Sequence, residues 1–106
     1  MNYVALWIDH DEAKLFNFKQ GTPDVKLFTN KHAIDHNTTI HFENKKKEQL
    51  RKFYKEVHDL VLNAKGILIL GPGVAKIEFR SYIESHHPDD LAKRILGLET
   101  MDKVTD

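Results

Sequence analysis

The sequence predicts an α/β fold: a mixed five-stranded sheet with helices on its faces, in the order β-β-β-α-β-α-β. Three observations carry that expectation. Residues 3–18 hold two strand-like runs around the polar turn Asp9-His10-Asp11-Glu12, the pattern of an antiparallel hairpin. Residues 45–64 repeat apolar side chains at helical spacing over a length that only a long helix explains. Between Gly66 and Gly71-Pro72-Gly73 lies the continuous apolar run Ile67-Leu68-Ile69-Leu70. It reads as a strand buried on both faces that breaks sharply into a helix.

Taken in order, Tyr3 to Ile8 is apolar, aromatic and β-branched, as a central strand requires. Ala13 to Phe18 alternates, with Ala13, Leu15 and Asn17 on one face and Phe16 and Phe18 on the other. Gln20-Gly21-Thr22-Pro23-Asp24 makes a second turn, and a shorter strand runs from Val25 to about Thr29. Lys31 to Asn44 has no clear period and reads as a loop with a strand-like piece at Thr39 to Phe42. The helix from Lys45 to Ala64 directs Leu50, Phe53, Tyr54, Val57, Leu60, Val61 and Ala64 inward. Asn44 is placed to cap its start and Gly66 to terminate it.

After the buried strand, a second helix is expected from about Val74 to Ser85, with Phe79, Tyr82 and Ile83 as its apolar stripe. His86-His87-Pro88 stops it, because proline disfavours helical geometry at the preceding residue. A short helix follows from Asp89-Asp90 to about Leu96 and ends at Gly97. Leu98 to Met101 completes the sheet. Strands reached through helical crossovers are expected to pair in parallel.

Composition narrows the functional classes. A length of 106 residues suits one domain covering 1–106. Lys plus Arg equals Asp plus Glu at 16 each, so any nucleic-acid contact must come from local charge rather than from a basic chain. Seven histidines add positive charge as pH falls toward about 6. The absence of cysteine excludes disulfides, thiol catalysis and thiolate metal sites. No apolar run approaches the ~20 residues that span a bilayer, and Met1-Asn2-Tyr3-Val4 does not open a leader. The expectation is a cytoplasmic protein with neither membrane nor DNA as a partner.

The order of the WIDHDEAKLF hairpin, the basic amphipathic helix and the ILILGPGVAKIEFRSYI strand-turn-helix resembles the middle domain of eukaryotic and archaeal peptide-chain release factors. It resembles equally the matching domain of their ribosome-rescue relative, Pelota, and small bacterial proteins described as translational machinery components. The shared features are the turn at Gly71-Pro72-Gly73 and the helix bearing Lys76, Glu78, Phe79 and Tyr82. Motif-level likeness is confined to residues 66–83, although the order of elements matches over nearly the whole chain. The resemblance implies a ribonuclease-H-like sandwich. It also implies a Gly-Gly-Gln tripeptide between the third strand and the long helix, and there the chain departs from it. Lys31–Asn44 contains neither glycine nor glutamine, so peptide release by that tripeptide is not expected. In this the chain is similar to the rescue relative, and the expectation is that the codon-reading and partner-binding domains are missing.

Each candidate site has a plainer competitor. Backbone amides of Gly71 and Gly73, with Lys76 nearby, could receive an anion. The turn lacks phosphate-loop spacing, however, and reads first as structural. His32, Asp35, His36 and His41 are suitable metal ligands without a fixed ligand motif, so solvated loop histidines are the simpler reading and no metal or cofactor is expected. Two-metal nuclease chemistry would need converging acids such as Asp9 with Glu48 or Glu56. The buried strand ends in Leu70-Gly71 and offers none, and Asp9 and Asp11 suit a hairpin turn. His86-His87 reads as polarity at a helix end, and Phe53 and Tyr54 as core. Lys45, Lys46, Lys47, Arg51, Lys52 and Lys55 form the one dense basic patch, a solvated helix face that the resemblance turns toward ribosomal RNA.

The leading expectation is therefore a non-catalytic ribosome- or RNA-associated protein without peptide-release activity. The alternatives are a metal-dependent nuclease or other hydrolase, and an adaptor or homodimer using the edge strand Val25–Thr29.

Overall fold

The computed structural model describes residues 3–18, 24–30 and 42–102, with side chains in the long helix from Lys47 onward. Five strands are present: β1 (Tyr3–Ile8), β2 (Glu12–Phe18), β3 (Asp24–Thr29), β4 (Gly66–Gly71) and β5 (Ile95–Thr100). Two helices, α1 (Phe42–Val61) and α2 (Ala75–His86), and a 3₁₀ turn at Leu91–Arg94 connect them. The strands form one sheet in the order β3-β2-β1-β4-β5. β3, β2 and β1 run antiparallel, while β1, β4 and β5 run parallel, as the helical crossovers require.

The pleat sorts the side chains. Register sets Val4, Leu6 and Ile8 beside Leu15 and Ala13 of β2, and beside Ile67 and Ile69 of β4. Alternation puts these on one face. Against that face α1 lays Phe53, Val57 and Val61, and α2 lays Phe79 and Ile83, in a single buried core with Leu91. Phe28 of β3 joins it by stacking on Phe53, ring centres 5.8 Å apart. Both helices thus cover the same face. On the opposite face Tyr3, Phe18, Val25 and Leu27 remain exposed. Trp7 lies there too but is fully buried, and its indole N–H donates to the carbonyls of Met101 and Asp102 at 3.1 and 3.2 Å.

Several boundaries differ from those the sequence suggests. α1 begins at Phe42, so Phe42–Asn44 belong to the helix and Asn44 is not its cap. The strand-like piece is not found at Phe42, and Thr39–His41 lie outside the described residues. α1 ends at Val61, and Ala64 instead sits buried in the following turn, its amide donating to the Val61 carbonyl at 3.0 Å. Leu60 is exposed and His58 is buried in its place. Helical spacing from Tyr54 points residues 57, 58 and 61 inward and carries 60 round the side. Gly66 opens β4 opposite Tyr3 rather than closing the helix. The expected short helix is only the 3₁₀ turn, and Gly97 lies within β5 opposite Leu68, with Leu96 as an extra, bulged residue.

Arg94 joins the two connections at one end of the sheet. Its guanidinium donates to the carbonyls of Ala64 (2.5 Å) and Leu62 (3.2 Å), and to the Asp90 carboxylate (2.6 Å). At the other end Gly71 passes so close to β1 that a Cβ on it would fall inside hard-sphere contact with the Ile8 carbonyl oxygen. Gly73, two residues on, has open space where its Cβ would go. Gly71→Ala should therefore cost about 2–4 kcal/mol of stability, as a strained core insertion does. Gly73→Ala should stay within about 1 kcal/mol of wild type. Chemical denaturation of the two variants side by side checks this; equal stabilities would refute the close-contact account.

Candidate nucleic-acid interface

The outward face of α1 follows from the same helical geometry that buries its inner stripe. Lys47, Arg51 and Lys55 recur every fourth residue, and Lys52 adjoins them; all four are exposed. The side chains of Lys45 and Lys46 lie outside the described residues. Acids one turn away temper the patch: Lys52 lies 3.9 Å from Glu48, and Lys55 lies 3.3 Å from Asp59. Such exposed pairs hold weakly and exchange readily for a stronger anion. Lys47 and Arg51 have no ion-pair partner among the described residues. Glu48 therefore acts as a helix-surface partner, not as a member of an acidic centre.

Beside this face runs a groove of about 320 Å³ lined by Arg51, Lys52 and Lys55 of α1 with Tyr82 and His86 of α2. The rings of Tyr82 and His86 stack with centres 4.3 Å apart, and His86 Nδ1 lies 3.0 Å from the Tyr82 carbonyl. Behind them His58 meets Tyr82 edge-on at 6.3 Å and stacks on His87 at 3.8 Å. His58 Nδ1 donates to the Asp59 carboxylate at 3.2 Å, while its buried Nε2 has no hydrogen-bond partner among the described residues. The His58 bond, helped by Lys55, holds the Asp59 carboxyl below its usual range. Burial, then the nearby charge of His58 and His86, pushes the His87 imidazole below its ordinary value.

Sequence reasoning alone treats Tyr82 as core and His86-His87 as helix-end polarity. Tyr82 is instead half-buried, and His86 is exposed and stacked on it. Their four-residue spacing on one helix is the available signal. Which face of α2 meets α1 does not follow from it.

The residues of the strand-turn-helix motif divide: Lys76 and Phe79 are buried, Tyr82 is half-buried and Glu78 is exposed. Lys76 is buried, and its ammonium donates to the Gly73 carbonyl. Glu78 Oε1 accepts the Tyr54 hydroxyl at 2.6 Å and faces His10 Nε2 at 3.0 Å, joining α1, α2 and the β1–β2 turn. Burial, reinforced by Glu78, pushes the Tyr54 phenol well above its usual range and keeps it protonated. Phe79 is core. Gly71, Gly73 and Lys76 thus stand together around a turn whose lysine is bonded to the turn itself.

Asp9 Oδ1 accepts the amides of Asp11 and Glu12, both at 2.8 Å, the turn role its sequence position suggests. Glu56 comes from α1, and no three His, Asp or Glu side chains converge on one point among the described residues. His32, Asp35, His36 and His41 lie outside the described residues. No helix among those described is long and apolar enough to cross a membrane.

No family model matches the chain, and no curated protein sequence matches it. Solved structures do. The archaeal translation termination factor aRF1 superimposes with a TM-score of 0.68 at 20% identity, over 95% of this chain and 30% of that one. Pelota of Archaeoglobus fulgidus also gives 0.68, at 19% identity over 99% of this chain and 28% of its own. Dom34 of S. cerevisiae, a translation termination-like factor, gives 0.56 at 14% identity, over 92% of this chain and 28% of its own. The chain therefore spans under a third of the length of these proteins. Over nearly its whole length it resembles one part of release factors and Pelota, consistent with the middle domain, and shares its mixed five-stranded α/β fold.

The lowered His87 value sets a pH dependence. The unfolded chain takes up this proton at higher pH than the native one, so stability is full above about 6.5 and falls as pH drops through the window below it. Thermal melts from pH 7.5 to 5.5 should show wild type losing more stability than His87→Gln. Parallel losses in the two proteins would remove His87 from the balance.

Proposed function

We propose that this chain is a non-catalytic, ribosome- or RNA-associated domain related to translation termination and rescue factors, working in the cytoplasm without peptide-release activity. The observation that carries this reading is the exposed basic face of α1, with Lys47 and Arg51 unpaired among the described residues, on a fold shared with aRF1 and Pelota. Cations set along one helix at four-residue spacing match a run of phosphates, and each phosphate they neutralise releases condensed counterions. Such contacts position the chain without reading sequence. The whole sequence contains no Gly-Gly-Gln, which supports a role other than ester hydrolysis.

One observation favours a second reading, self-association. Among the described residues β3 is an edge strand, paired with β2 alone, and it exposes Val25 and Leu27. Asp24 and Lys26 on the same strand place charge at that edge and oppose pairing with another copy. Light scattering over a range of concentrations separates the two readings, because a constant monomer mass removes the second.

On a low-salt sucrose gradient of lysate the protein should travel with ribosomal particles, and ribonuclease treatment should release it. Its absence from those fractions would overturn the proposal. With purified single-stranded RNA, replacing Lys47, Arg51 and Lys52 by Glu should weaken binding. For every phosphate no longer neutralised, the slope of log affinity against log salt should become shallower by about 0.7. An unchanged slope would return the patch to ordinary surface.

A further inference from the structure

The α1–α2 groove differs from the rest of the basic face because it holds both cations and a ring platform. Arg51, Lys52 and Lys55 form one wall, and the stacked pair Tyr82–His86 forms the other. His86 is exposed and lines the groove with Tyr82, and Tyr82 meets buried His58 edge-on. His58 is itself fixed twice, by its Nδ1–H bond to Asp59 and by its stack on His87. The platform is therefore held in place before any ligand arrives. Lysines and an arginine beside an ordered aromatic surface are the two halves of single-strand nucleic-acid recognition, one for the phosphate and one for the base.

We propose that this groove is a nucleotide-binding subsite for single-stranded RNA, in which one base stacks on the Tyr82–His86 platform while its phosphate lies against Arg51, Lys52 and Lys55. The subsite rests on the basic-face reading above and adds a base-dependent component that phosphate contacts alone do not supply. Arg51, without an ion-pair partner among the described residues, takes the phosphate directly. Lys52 and Lys55 turn to it from the weak pairs with Glu48 and Asp59. An acidic peptide would meet the same cations but would gain nothing from the flat ring surface. Stacking is tolerant of base identity, since every base presents a π-face, so the subsite favours RNA with accessible bases over any particular sequence. A duplex, whose bases are already stacked, does not satisfy it.

Fluorescence anisotropy with a labelled hexaadenylate and with an abasic hexamer of the same phosphate backbone tests this. Wild type should bind hexaadenylate about tenfold more tightly than the abasic strand. His86→Ala, at an exposed position, should abolish that preference and leave abasic binding unchanged, and His86→Phe should retain it. Tyr82→Leu, which keeps apolar bulk toward His58, should behave like His86→Ala. Equal, salt-sensitive affinity of wild type for both strands would overturn the subsite while leaving the basic-face reading standing. A preference untouched by both His86→Ala and Tyr82→Leu would overturn it too. If wild type binds neither strand, the basic-face reading falls and the subsite with it.

Discussion

The architecture depends on how closely β4 can approach the end of β1. Gly71 lies where a side chain would collide with the Ile8 carbonyl, and that approach lets the chain leave the sheet at once and enter α2. From there the rest is determined by reach. Lys76, one residue into the helix, bonds back to Gly73; Glu78 meets Tyr54 and His10; Phe79 and Ile83 enter the core. Tyr82 and His86 follow on the next turns and reach the outer side of α1. The groove is thus a geometric result of a turn several residues away, where Lys76 bonds back to the Gly73 carbonyl and the Met101 amide to the Gly71 carbonyl.

This explains why the motif identifies architecture better than activity. Lys76, Glu78 and Phe79 each have an internal partner, so their presence in the chain reports a way of folding a strand onto a helix. The aRF1 and Pelota structures share the overall fold at about one-fifth identity. The exposed cations of α1 lie elsewhere, on the side of the helix away from the sheet. There a sequence is constrained by charge rather than by shape.

Legibility followed the same division. β1, β2, β3 and β4 were readable because pleat alternation and a continuous apolar run are short-range signals, and α1 because its inner stripe repeats over many turns. The glycines misled. Gly66 and Gly97 look like helix terminators, yet both lie in strands, where Gly66 leaves room for Tyr3 and Leu96, and Gly97 for Leu68. A sequence shows that a small residue is needed and not which neighbour needs the space. The basic patch was legible as local charge. The ring platform was not, because Tyr82, His86 and His58 meet only once two helices have settled at a particular angle, and Arg94 likewise reaches carbonyls 30 and 32 residues away.

Placing α1 and α2 on one side of the sheet gives the molecule two unlike surfaces, and the chain's one tryptophan belongs to the side that neither helix covers. The Trp7 indole is closed off from solvent and tied to the carbonyls of Met101 and Asp102. It is therefore an intrinsic optical gauge of whether the segment after β5 keeps its seat. Set across the sheet from α1, that gauge belongs to the opposite side of the molecule from the basic face.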